Sequence, residues 1–188
     1  MTDESSYVNR ARAGDEAAWA EILRQHGEAM FRLAYLMLGD GDEADDLAQE
    51  AFVRAYRALH SFDASRPLRP WLLTIVSNLA SNRLRSVRRY LAALRRTALS
   101  GVETVARLED RTAREWEADT LWQAVRKLKI GEQEVIYMRY FLELTEAEMA
   151  AAMSVPHGTV KSRLHRALAR LRDVVDREFP ALREERIA

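Results

Sequence analysis

Acids, bases, hydroxyls and four histidines are the side chains here that could do chemistry. Cysteine is absent, which excludes a disulfide framework, a thiolate zinc site and a Cys nucleophile. His26, His60, His157 and His165 stand at no spacing that other ligands complete, so no metal site is expected. The stretch "DGDEADD" has the look of a calcium loop. Ala44 takes the place of its third ligand, the turn glycine is missing, and Ala51 sits where the closing glutamate belongs. No phosphate loop, nucleophile elbow or metalloprotease motif appears. No catalytic residue and no cofactor is expected, and the chain does not read as an enzyme.

What remains is the placement of charge. The 188 residues balance 29 bases against 29 acids, yet the two signs are separated. Asp40 to Glu50 holds Asp40, Asp42, Glu43, Asp45, Asp46 and Glu50 and no base. Ala64 to Val102 holds eight arginines and no acid. Val155 to Arg172, "VPHGTVKSRLHRALARLR", carries Lys161, Arg163, Arg166, Arg170 and Arg172, again without an acid. One acidic and two basic surfaces are expected.

The last of these segments reads as a helix. At about 100° per residue, Val160, Leu164, Ala167, Leu168 and Leu171 fall on one face. Ser162, His165 and Arg166 point the other way, with Lys161 and Arg163 on the flanks. Before it, "LTEAEMAAAM" gives a short helix capped by Thr145, with Glu148 at capping-box spacing. A short helix, a tight turn at Ser154 to Pro156 and a longer helix with a basic free face make a helix-turn-helix. Its second helix fits the major groove. A surface helix with a solvated basic face is the plainer alternative.

Other elements must hold these surfaces in place. Scarce Gly and Pro with abundant Ala, Leu, Arg and Glu favour helix throughout. Asp15 caps a helix carrying Trp19, Ile22, Leu23, Met30, Phe31, Ala34 and Met37, which ends at Gly39 to Gly41. A second helix begins near Asp42 and aligns Leu47, Ala51, Phe52, Ala55 and Leu59. A third starts near Pro70, with Trp71, Leu72, Ile75, Val76 and Leu79 as its buried stripe. On its opposite side lie Thr74, Ser77, Ser81, Arg85 and Arg88, bordered by Asn78 and Asn82. Residues 90–117 read as a connector. Beyond it, Leu121, Trp122, Val125 and Leu128 mark one amphipathic helix, and Val135 to Phe141 belong to the next. The expected fold is all-α: a three-helix-type bundle over 1–89, a linker over 90–117 and a helix-turn-helix domain over 118–188.

The residues also carry a resemblance. "GTVKSRLHRA" is similar to the region 4 signature of bacterial sigma factors of the extracytoplasmic-function group, and "GEQEVIYMRYFLELTEAEMAAAM" resembles the rest of that region. "GDGDEADDLAQEAFVRAYRAL" resembles their regions 2.1 to 2.2, and "FDASRPLRPWLLTIVSNLASNRLR" their regions 2.3 and 2.4. The resemblance covers nearly the whole chain except the connector. It implies an alternative sigma factor that binds core RNA polymerase and promoter DNA, under the control of an anti-sigma factor. Asp45, Asp46, Gln49 and Glu50 match the positions that dock on polymerase. Thr74, Ser77, Asn78, Ser81, Asn82 and Arg85 fall on the helix that reads the minus-10 element. Lys161, Ser162, His165 and Arg166 match the minus-35 readers, with Thr159 and Arg163 as phosphate contacts.

Three features depart from the family pattern. Asn82 stands where an acid is common, Ser154 replaces the usual turn glycine, and the connector is basic in its first half. A dimeric helix-turn-helix regulator, or a helical adaptor that binds proteins only, remain alternative readings of the residues. The polar, acidic start "MTDESSYVNR" is no secretory signal, and no apolar run approaches a membrane span. A cytoplasmic location without membrane insertion is expected.

Overall fold

The computed structural model describes residues 4–97 and 113–179. Among them the fold is helical, as expected: α1 (Glu4–Arg12), α2 (Glu16–Leu38), α3 (Gly41–Ala58), α4 (Leu68–Thr97), α5 (Ala113–Arg126), α6 (Ile130–Ile136), α7 (Glu146–Ala152) and α8 (His157–Glu178). Most of the connector lies outside the described residues. α4 runs on past position 89 to Thr97, so the basic helix and the start of the connector are one rod.

The caps follow from the sequence. The Asp15 carboxylate accepts from the Ala18 amide at 3.1 Å, and that of Asp40 from the Glu43 amide at 2.9 Å. Gly39 ends α2 in the left-handed conformation at φ 79°. α1 is an element the periodicity did not disclose. Its Glu4 carboxylate accepts from the Leu68 amide at 2.9 Å, placing an anion on the N-terminus of α4. Its Arg12 donates to the carbonyls of Leu59, at 2.9 Å, and Phe62. α1 therefore clamps both ends of the loop between α3 and α4.

The first half packs α2, α3 and α4 around Met30, Leu33, Leu47, Ala51, Leu72 and Val76, all buried. Phe31, placed on the buried stripe by its spacing, is exposed instead and stacks on Tyr35 at 6.2 Å. The second half gathers α5 to α8 around Tyr137, Met138, Leu144, Met149, Val160 and Ala167. Trp122, Tyr137 and Phe141 form an aromatic cluster, Trp122 and Tyr137 lying 5.3 Å apart. Leu121, expected inside, is exposed; Ala124 takes its place. Both misplacements have one cause. A stripe read from a single helix does not say how wide its contact with the neighbours is.

After α6 the backbone widens into a π turn over Tyr137–Phe141, closed by the Leu142 amide on the Tyr137 carbonyl at 3.1 Å. Thr145 and Glu148 then form the expected capping box, Glu148 reaching back to the Thr145 amide at 2.8 Å. Between α7 and α8, Ser154 adopts φ 53°.

The two halves touch. α4 contacts α7, and α2 contacts α6 and the π turn. Arg69, in the first turn of α4, donates to the Leu142 carbonyl at 3.0 Å. Arg126, at the end of α5, donates to the Leu38 carbonyl at 3.3 Å, so a guanidinium sits on the C-terminus of α2. Gly39 leaves room for it: a Cβ there would lie 2.8 Å from the guanidinium carbon.

Two stability changes follow. Ser154→Gly removes the left-handed penalty of a serine and raises stability by about 0.5–1 kcal/mol after the added chain entropy of glycine; an upward shift in urea midpoint at constant m-value checks it. Gly39→Ala costs about 1–2 kcal/mol through the same conformational penalty. It also displaces Arg126, so the loss should exceed that of Gly39→Ala made in an Arg126→Ala background.

Candidate nucleic-acid interface

The acidic surface is the outer face of α3. Ala44, Leu47, Ala48, Ala51 and Ala55 turn inward, which leaves Asp42, Asp45, Asp46, Gln49 and Glu50 exposed. Gln49 donates to Asp45 at 2.8 Å, and Arg54 donates to Glu50 at 2.6 Å. Asp45, Asp46, Gln49 and Glu50 lie on neighbouring turns, so the structure brings the four together on one face.

The candidate minus-10 residues divide. Asn78, Asn82 and Arg85 are exposed along one strip of α4. Ser77 and Ser81, expected on the free side, are buried at 4% and 9% exposure. The reason is tertiary: α4 is covered on a second side by the other half of the chain. The Ser77 hydroxyl bonds to the carboxylate of Glu134 on α6. Thr74 is half-buried and donates back to the Pro70 carbonyl at 2.9 Å. It borders a cleft of about 850 Å3 between the loop Ser61 to Pro70 and the turn of the helix-turn-helix, whose other walls include Phe62, Trp71, Ala151 and Val155. Phe62 is buried against Trp71, their rings 4.8 Å apart, so both serve packing here.

The candidate minus-35 residues sit as the wheel requires. Val160 and Ala167 are buried, and Lys161, Ser162, His165 and Arg166 are exposed on α8. The Ser162 hydroxyl donates to the Thr159 carbonyl at 3.0 Å, and Arg166 Nε to the Ser162 carbonyl at 3.1 Å, so both side chains lie along the helix. Thr159 and Arg163 are half-buried.

Glu134 is the residue that sequence reasoning missed. It is half-buried, and this desolvation pushes its carboxyl above the ordinary range, while the Ser77 hydroxyl and the charges of Arg163 and Arg85 pull it down. Its one signal in the sequence is its position: the second acid of "GEQEV", between the buried Gln133 and Val135. Its neighbour Glu132 faces Arg170 of α8 at 3.5 Å. Among the described residues no group of acids and histidines could hold a metal ion, and no helix is long and apolar enough to cross a membrane.

Comparison with known proteins bears on these surfaces. Residues 22–100 match the family described as Sigma-70 region 2, and residues 118–171 match Sigma-70, region 4. The chain is 32% identical to the ECF RNA polymerase sigma factor SigW of Bacillus subtilis over 173 residues, covering 88% of this chain and 92% of that protein. Among solved structures it is similar to CnrH in complex with the cytosolic domain of CnrY, with a TM-score of 0.69, 26% identity, and 93% and 98% of the two chains covered. The sigma factor RpoE of Bartonella quintana, solved with the anti-sigma factor NepR, shares the fold at a TM-score of 0.64 and 22% identity, over 85% of this chain and 97% of that one. The acidic helix, the basic helix after a proline-bearing loop and the helix-turn-helix thus stand in one order and one fold with these relatives, and the chain belongs to the ECF RNA polymerase sigma factors, alternative sigma factors that direct core RNA polymerase to specific promoters.

Proposed function

We propose that α3 docks on core polymerase through Asp45, Asp46, Gln49 and Glu50, that α4 and the loop before it read the minus-10 element, and that α8 reads the minus-35 element. The observation that carries this reading is the exposed strip of Ser162, His165 and Arg166 opposite the buried Val160 and Ala167, with Lys161 exposed on its flank, on the second helix of a helix-turn-helix. Cations and hydroxyls on that face suit base edges and phosphates of the major groove. Thr159 and Arg163, at its margin, hold phosphates.

Asn78, Asn82 and Arg85 on α4 form the outer part of the minus-10 face, and Thr74, Ser77 and Ser81 the part that the second half covers. An opened base costs a few kcal/mol of unstacking, which a pocket and backbone contacts offset. The half spanning 1–89 then serves polymerase and the minus-10 element, and the half spanning 118–188 the minus-35 element, with 90–117 as the link. The protein works in the cytoplasm, beside polymerase. It has no chemistry of its own: polymerase forms the phosphodiester bonds, and the sigma factor chooses where they start.

Control by an anti-sigma factor is part of this reading. Its support is that CnrH is found in complex with the cytosolic domain of a second protein, and RpoE, of like fold, with an anti-sigma factor. A partner of that kind would hold both halves away from polymerase and DNA.

The test is reconstitution with bacterial core polymerase and sequencing of transcript 5′ ends from genomic DNA of the source organism. Discrete starts behind a shared two-part motif are expected; their absence with folded protein sinks the reading. The double change Asp45→Arg and Asp46→Arg places like charges against a basic partner and should weaken core binding by about 100-fold, corresponding to a few kcal/mol. Ser162→Ala with Arg166→Ala should leave core binding intact. It should lower initiation at promoters that depend on the minus-35 motif by about 10- to 100-fold, from 1–3 kcal/mol per base contact.

A further inference from the structure

α1 carries opposite charges at its two ends, and each reaches one end of the loop between α3 and α4. Arg12 donates to the carbonyls of Leu59 and Phe62, so a cation sits where α3 and its last turn finish. At the other end of α1, about 12 Å away at 1.5 Å per residue, Glu4 Oε2 accepts from the Leu68 amide at 2.9 Å. That puts an anion on the first turn of α4. The second Glu4 oxygen lies 3.2 Å from His26 Nε2 of α2, so the carboxylate is held from two sides. Between the anchors, Val8 and Ala11 are buried and fix the inner face of α1.

The loop itself divides into a fixed base and a free tip. Leu59, Phe62 and Leu68 are buried, and these are the residues that α1 grips. Asp63, Ser65, Arg66 and Pro67 are exposed. The Asp63 carboxylate accepts from the amide and the hydroxyl of Ser65, at 3.0 and 2.7 Å, and its carbonyl accepts from the Arg66 amide at 3.0 Å. The tip thus folds on itself, and its orientation is set by the base that α1 holds.

We infer that Arg12 and Glu4 are positioning residues for minus-10 recognition: they touch no base, and fix the pose in which the loop meets an opened one. This rests on the assignment of the loop and α4 to the minus-10 element above. A loop that needs no ordering on binding keeps more of its contact energy. A wrong base is rejected only where the donors and acceptors around it cannot shift to suit it. Loosening the base of the loop therefore costs discrimination between minus-10 sequences, and leaves contacts elsewhere alone.

The test uses the full chain in reconstituted holoenzyme, on a promoter identified by transcript mapping and on copies with one minus-10 or one minus-35 base changed. The readout is the ratio of single-round initiation on the intact promoter to that on the altered one. Arg12→Ala and Glu4→Ala should each lower the minus-10 ratio by about 10-fold, the loss of one charge-assisted hydrogen bond. The minus-35 ratio and core affinity should stay as in the unaltered protein. Arg12→Lys keeps the charge without the forked donor, and Glu4→Gln keeps an acceptor oxygen, so each should recover part of the ratio. Arg10→Ala, which breaks the pair with Asp15 at 2.7 Å and leaves the loop anchors intact, should change neither ratio. Hydrogen exchange at the Leu68 amide reads the brace directly and should rise by about 10-fold in Glu4→Ala.

An unchanged minus-10 ratio in folded Arg12→Ala and Glu4→Ala overturns the proposal, even where Leu68 exchanges faster, because α1 is then a structural support only. An equal fall in both ratios, or the same fall in Arg10→Ala, overturns it too. Should an alanine variant fail to fold, Arg12→Lys and Glu4→Gln carry the comparison, and a full ratio in both overturns it. An unaltered protein indifferent to minus-10 changes sinks the assignment of the loop itself, whereas discrimination retained by the variants sinks the brace alone.

Discussion

The structure turns on one helix being buried from two sides. α4 gives Leu68, Leu72 and Val76 to the core of the first half, and Leu73, Ser77, Ala80 and Ser81 are buried as well. It contacts α2 and α3 in its own half and α7 in the other. A helix hydrophobic on one stripe needs one partner layer; this one has two, and the second rests partly on hydroxyls and small residues. Serine and alanine let α6 and α7 approach closely without a large apolar payoff.

Charge is arranged along the same division. The acidic face of α3 is exposed while the halves are in contact, so it is open to a basic partner. On the other side, Arg170 of α8 faces Glu132 of α6 at 3.5 Å, and the charges of Arg85 and Arg163 act on Glu134. A neutral total therefore conceals two kinds of acid: an outer set on α3, and an inner pair that sits among the protein's own bases.

Local devices keep the second half compact enough to act as a unit. The Gln133 side-chain amide donates to the carbonyls of Arg126 and Leu128, both at 2.9 Å, and so satisfies the end of α5. The π turn leaves the Leu142 carbonyl pointing at Arg69. The turn before α8 tolerates a left-handed serine because Val155, half-buried, and Val160, fully buried, fix the chain on either side.

Much of this was legible in the residues. Caps at Asp15 and Thr145, the stop at Gly39 and the exposed face of α8 follow from local rules. A cap or a wheel needs only neighbours three or four positions away. So does the clustering of Asp45, Asp46, Gln49 and Glu50. Phe31 and Leu121 were misplaced because their surroundings come from other helices, and α1 was missed because its anchors, Leu68, Leu59 and Phe62, lie some 50 positions or more along the chain. Ser77 and Ser81 show the limit most clearly. By periodicity they are polar and outward; by packing they are covered, and Glu134 gives Ser77 a partner 57 positions away. The sequence by itself determined which helices form and which faces carry charge, because those depend on propensity and spacing within a turn or two. Only the tertiary structure decided which of those faces is free, because that depends on which distant helix desolvates it.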